Sequence, residues 1–146
     1  MDEFLQGLDE NLEYISHRNI NEDTIEISCG VKRKKAVCPY CGKSSEKVNC
    51  RYKRKLKDIS FGEKKVILLV WANNYFCSNS DCAHGTFAEK IEFVEPFSVR
   101  TKRLDKRILE LAVCGSGIGT ERYIKRNLAV VSDTTVNRIV KKNLTR

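Results

Sequence analysis

Apolar and polar positions follow two rhythms along the chain, one helical and one of strands. Near the start, Phe4, Leu5, Leu8, Leu12 and Ile15 recur at helical spacing, which predicts a short amphipathic helix over about residues 3–15. Residues 24–29 (TIEISC) alternate and are rich in β-branched side chains, so they predict a strand. Two longer extended stretches, about 47–59 and 64–76, flank Ser60-Phe61-Gly62-Glu63, and the Gly in that turn makes them an antiparallel hairpin. Pro96 closes this half. From Thr101 the rhythm is helical to the end, with helices expected at about 102–113, 119–127 and 133–144; Gly115, Gly117 and Gly119 separate the first two. Ser132 is placed to cap the third through its hydroxyl.

The expected fold class is therefore α+β: a small antiparallel β ribbon followed by a three-helix helix-turn-helix domain. The boundaries read as residues 1–23 for an acidic helix and linker, 24–97 for the ribbon and 98–146 for the helical domain. On the third helix Val136, Ile139, Val140 and Asn143 share one face, and Thr134, Asn137, Arg138 and Lys141 fall on the opposite one. A helix-turn-helix presents such a polar face to the major groove. Arg forks onto guanine and Asn onto adenine, so Arg138 and Asn137 are the expected base readers. Arg122, Lys125 and Arg126, with Arg100, Lys102 and Arg103 at the start of the first helix, suit phosphate contacts.

Charge sharpens this reading. The 146 residues carry a formal +8, but the first thirty hold eight acids and one base, so a strongly basic body follows an acidic head. Such a body attracts polyanions, nucleic acid first. The head reads either as a helix packed on the ribbon or as a docking or autoinhibitory arm. The longest apolar run, 66–72, is far shorter than the roughly 18 residues of a membrane span. The acidic start is unlike a signal peptide. A cytoplasmic protein is the expectation, with no membrane partner.

Seven cysteines without a secretion signal point to metal or catalysis, not to a disulfide framework. Cys38 and Cys41 form a C-x2-C pair, and Cys77 and Cys82 a C-x4-C pair, joined through the hairpin. Two thiolate pairs on tight knuckles are what one tetrahedral Zn2+ takes from a zinc ribbon. Iron is its main competitor for four thiolates. Gly42 fits a knuckle position that needs positive φ. Four thiolates close the site to water, which makes it structural; Lys35 and Lys43 can offset its net charge. His84 is an alternative ligand, and Cys29, Cys50 and Cys114 read as small buried hydrophobes. A nucleophilic cysteine would need a paired base, and neither His17 nor His84 sits in such a motif.

Taken together, CPYCG at 38–42, YFCSNSDCAHGTFAE at 75–89, FSVRTKRL at 97–104 and GIGTERYIKRNLAVVSDTTVNRIV at 117–140 resemble the N-terminal region of the ISL-three family of bacterial insertion-sequence transposases. The turn Asp58-Ile59-x-x-Gly62 adds to the resemblance. It implies a zinc finger ligated by Cys38, Cys41, Cys77 and Cys82, followed by a helix-turn-helix over 119–142. It also implies recognition of double-stranded DNA at terminal inverted repeats. Such transposases cut and join DNA with a downstream RNase H-like domain, whose carboxylates this sequence does not carry, so the expected role is non-catalytic. The alternatives are a stand-alone transcriptional regulator derived from a transposase, a non-catalytic subunit of a split recombinase, and a ribbon that binds protein. Assembly into a homo-oligomer is left open.

Overall fold

The computed structural model describes residues 1–114, Arg122 and residues 133–144. A one-turn helix α1 (Asp2–Gln6) leads into β1 (Leu12–Asn21) and β2 (Thr24–Val31). Two short strands, β3 (Ala36–Val37) and β4 (Ser44–Ser45), form their own hairpin, with Ala36 opposite Ser45 and Val37 opposite Ser44. The long strands β5 (Val48–Phe61) and β6 (Lys64–Phe76) follow, then β7 (Thr86–Ala88), α2 (Lys102–Cys114) and α3 (Asp133–Leu144). The main sheet has the order β1-β2-β6-β5, and β7 pairs antiparallel with the end of β6.

β6 alternates as a half-buried strand should, with Val66, Leu68, Val70 and Ala72 buried; on β2 Ile25, Ile27, Cys29 and Val31 are buried as well. The turn at Gly62 has φ +62°, a conformation that glycine adopts without a Cβ penalty.

The chain divides into two compact units built from alternating segments. The first comprises Met1–Ser16, Ile27–Lys55 and Leu69–Glu92; the second comprises His17–Glu26, Leu56–Leu68 and Phe93–Arg146. In the second unit Leu104 and Ile108 of α2 pack with Val136 and Ile139 of α3, and Ile59 of β5 joins them. Thr101 caps α2: its Oγ1 accepts from the Leu104 amide at 3.3 Å and donates to the buried Asp58 at 2.7 Å.

This architecture corrects the expected fold class. Among the described residues the chain is mostly β-sheet with three short helices, and not a small ribbon followed by a three-helix helix-turn-helix domain. Two causes are visible. The N-terminal helix ends at Gln6, because Asp9 Oδ1 accepts from the Asn11 amide at 2.8 Å and turns the chain. Leu5 and Leu12 are both buried as the helical rhythm implied, but Leu12 is the first residue of a strand. The C-terminal helices, in turn, complete their core with Ile59 of a strand. The expected helix over 119–127 and the cap Ser132 lie outside the described residues, apart from Arg122, which is helical.

Candidate metal centre

The first knuckle is the turn between β3 and β4. The Cys38 amide donates to the Lys43 carbonyl, and the Gly42 amide to the Cys38 carbonyl, each at 2.9 Å. Gly42 has φ +81°, the left-handed conformation that the sequence implied. The second knuckle begins where β6 ends. Here the Cys77 amide donates to Gly85 O at 2.7 Å and the Cys82 amide to Asn79 O at 3.1 Å, while Gly85 has φ +60°. Two serines tie the knuckles together. Buried Ser45 donates its hydroxyl to Phe76 O, and Ser78 donates to Ser44 O at 2.8 Å.

These turns bring four sulfurs to one point. The Sγ atoms of Cys38, Cys41, Cys77 and Cys82 all lie within 4.8 Å of one another; Cys41 and Cys77 are 3.5 Å apart, Cys38 and Cys82 4.0 Å. A tetrahedral ion with bonds of about 2.3 Å sets its sulfurs roughly 3.8 Å apart, so the cluster already has the size that Zn2+ needs. All four are free thiols, far outside disulfide bonding distance. Below them Tyr75 and Phe87 stack at 5.7 Å between centroids and form an apolar floor with Cys38.

The electrostatics suit a thiolate cluster. The Lys43 amide donates to Cys41 and, against the cost of desolvation, lowers that thiol to about 7. The Asn79 amide works in the same direction on Cys77, but desolvation and the three neighbouring thiols outweigh it and push this thiol up to about 12. Cys41 thus ionises readily while Cys77 holds its proton tightly. A bound dication reverses this by favouring all four thiolates. Hence the four cysteines fit one structural Zn2+.

The other sequence-derived candidates are placed as follows. His84 lies outside the sulfur cluster, its ring stacked on Tyr40 at 3.5 Å. Cys29 is buried as expected, whereas Cys50 is exposed on β5, which corrects its reading as a core residue; the Cys114 side chain is outside the described residues. On α3 Asn137, Arg138 and Lys141 are exposed while Val136 and Ile139 are buried. Lys102 and Arg122 are exposed; Lys125, Arg126 and the Thr134 side chain lie outside the described residues. Two cations are engaged inside the fold. Arg100 Nε donates to Asp105 at 2.7 Å, and Arg103 Nε donates to the fully buried Asp58 at 2.8 Å. Ser45, Tyr75 and Phe87 escaped the sequence reading, since only tertiary pairing sets them beside the cysteines.

Among the described residues no helix is long and apolar enough to cross a membrane. No curated protein and no solved structure matches the chain. Residues 34–82, the stretch that contains both knuckles and the hairpin between them, match the family model for the zinc-finger of transposase IS204/IS1001/IS1096/IS1165, so the metal centre is similar to that transposase zinc ribbon.

Proposed function

We propose that the chain is a zinc-stabilised, sequence-selective DNA-binding module that recognises the terminal inverted repeats of an insertion element. The observation that carries this reading is the transposase-type ribbon over residues 34–82 with its four gathered thiols. The exposed face of α3 supports selectivity. Asn137, Arg138 and Lys141 face solvent on a helix held from behind by Val136 and Ile139, as a groove-reading helix requires. Arg122 and Lys102, both exposed, suit phosphate contacts. The role is non-catalytic, because four thiolates leave zinc no open position for water or substrate.

The test is a binding titration of zinc-loaded protein on terminal-repeat duplex and on a shuffled duplex. Wild type is expected to prefer the repeat. Arg138→Ala is expected to lose about 1–3 kcal/mol on the repeat and little on the shuffled duplex, as for a base-reading side chain. Equal loss on both duplexes refutes the assignment of the reading helix. Nicking of the repeat by the wild-type chain with magnesium refutes the non-catalytic role.

A further inference from the structure

The sheet of the first unit has a face turned away from its core. Gly30 of β2 marks it: a Cβ there would lie 3.2 Å from the Arg51 guanidinium, 3.5 Å from Ile15 and 4.0 Å from a Glu13 carboxylate oxygen. Arg51 of β5 therefore lies across the sheet toward β2, over ground that glycine leaves open. Trp71 of β6 lies under the same cations. The Arg51 guanidinium sits 6.0 Å from its ring centroid and the Lys53 ammonium 5.5 Å, both within cation–π reach. Arg51, Lys53 and Lys55 are all exposed and two residues apart, so they share one face of an edge strand.

These cations differ from Arg100 and Arg103, which donate to carboxylates of their own fold. Among the described residues none of Arg51, Lys53 and Lys55 is in an ion pair. Two acids lie near Arg51: Glu13, beyond Gly30, and buried Glu89, which feels its charge. Because two cations cover its ring, Trp71 is a platform for cations and not a stacking surface for bases. That favours contact with a phosphate backbone over capture of unstacked nucleotides. With a rise of about 3.3 Å per residue the three cations span roughly 13 Å, the axial rise of about four base steps on one strand of duplex DNA.

We propose that this face is a second DNA-contact surface, in which Arg51, Lys53 and Lys55 bind the phosphates of duplex DNA and Trp71 holds the first two in position. The proposal rests on the DNA-binding reading above and deepens it by adding a sequence-independent contact made by residues other than those of α3.

Trp71 is the sole tryptophan of the chain, so its fluorescence reports on this face without any label. The zinc-loaded full chain is titrated with terminal-repeat duplex, shuffled duplex and a single strand of equal length, over a range of salt. Both duplexes are expected to change Trp71 emission at saturation, in the wild type and in the Arg138→Ala variant. Replacing Arg51, Lys53 and Lys55 by Gln, singly and together, is expected to reduce the salt slope of duplex binding by about 0.9 per cation removed. The preference for repeat over shuffled DNA should stay intact. Zinc content and melting temperature of each variant verify its fold, and the wild-type emission change needs no variant at all.

Duplex binding with silent Trp71 emission and an unaltered slope in the triple variant overturns the proposal. That result would leave these cations as guards of a sheet edge against strand pairing. An emission change confined to the single strand overturns it too. Failure to bind any duplex defeats instead the reading on which the proposal rests.

Discussion

Arg103 is where the sequence and the structure assign different work to one side chain. From its place at the start of α2 it reads as a phosphate contact; in the fold it clamps Asp58. The informative perturbation is Arg103→Ala. Asp58 is 0% exposed, and its carboxylate accepts from Thr101 Oγ1, Arg103 Nε and Arg103 Nη2. Removing one partner of a buried pair costs about 3–5 kcal/mol, because the other charge stays buried. The Arg103 side chain is 21% exposed, and water at that opening moderates the loss to about 2–4 kcal/mol. For a chain of this size a loss near 3 kcal/mol lowers the melting midpoint by roughly 6–12 °C. Thermal melts followed by circular dichroism, in zinc-containing buffer, measure this directly. Asp58→Asn removes the charge but keeps an acceptor for Thr101, so the double variant Asp58→Asn/Arg103→Ala should cost clearly less than the two single losses added. A stability change within about 0.5 kcal/mol for Arg103→Ala, with weaker duplex binding and a flatter salt dependence, refutes this reasoning and restores the phosphate role.

Two further outcomes are expected. Metal analysis should find one zinc per chain, and chelation or Cys82→Ser should lower the melting temperature and release the strand structure around the knuckles, since metal binding and folding free energy are coupled here; an unchanged melt after complete chelation contradicts the structural role. Glu89, 6% exposed, has its carboxyl raised above the ordinary range by desolvation, against the Asn73 amide it accepts from at 2.6 Å and the charges of Arg33 and Arg51. A raised acid binds its proton more tightly in the folded state, so stability falls as pH rises from about 4.3 through the folded value. Glu89→Gln should therefore gain on wild type at neutral pH, with the gain vanishing in acid; a pH-independent difference between the two melts argues against this.

The sequence was legible wherever the determining contacts are local. The strand over 24–29, the hairpin about Gly62, the helices over 102–113 and 133–144 and both cysteine knuckles follow from rhythms and spacings within a few residues. Gly42 could be assigned positive φ because a knuckle requires it. Illegible features depend on partners distant in the chain. Residues 12–21 form a strand because β2 pairs beside them and β6 lies beyond, a placement that overrides the helical spacing of Leu8, Leu12 and Ile15. A local cue existed in Asn21, whose Oδ1 accepts from the Asp23 amide at 3.0 Å in a hairpin turn. Asp58 and Arg103 are 45 residues apart, and no periodicity links them.

The same long-range pairing decides what the acidic head is. Read along the chain, eight acids before a basic body suggest an arm that competes with DNA phosphates. In the fold three of them are held by cations of their own unit. Glu26 accepts from Arg18 at 2.8 Å, Asp23 lies 3.8 Å from Lys65, and Asp9 lies 3.7 Å from Arg33. Residues 12–21 are a strand of the main sheet, so deleting the first twenty residues removes α1 and most of β1, and with them the buried Leu5 and Leu12. The head is thus part of the scaffold, and its charge is partly neutralised where it sits. Attraction for a polyanion then depends less on the net +8 than on which cations already face a carboxylate. Among the described residues Arg18, Arg33, Lys65, Lys90, Arg100, Arg103 and Arg107 do. Arg51, Lys53 and Lys55 on β5 are exposed in the first unit, and Asn137 and Arg138 on α3 in the second. A charge count along the sequence weights all these side chains equally; the fold sets apart Lys65, Arg100 and Arg103, which are paired and largely covered, from the cations that meet solvent.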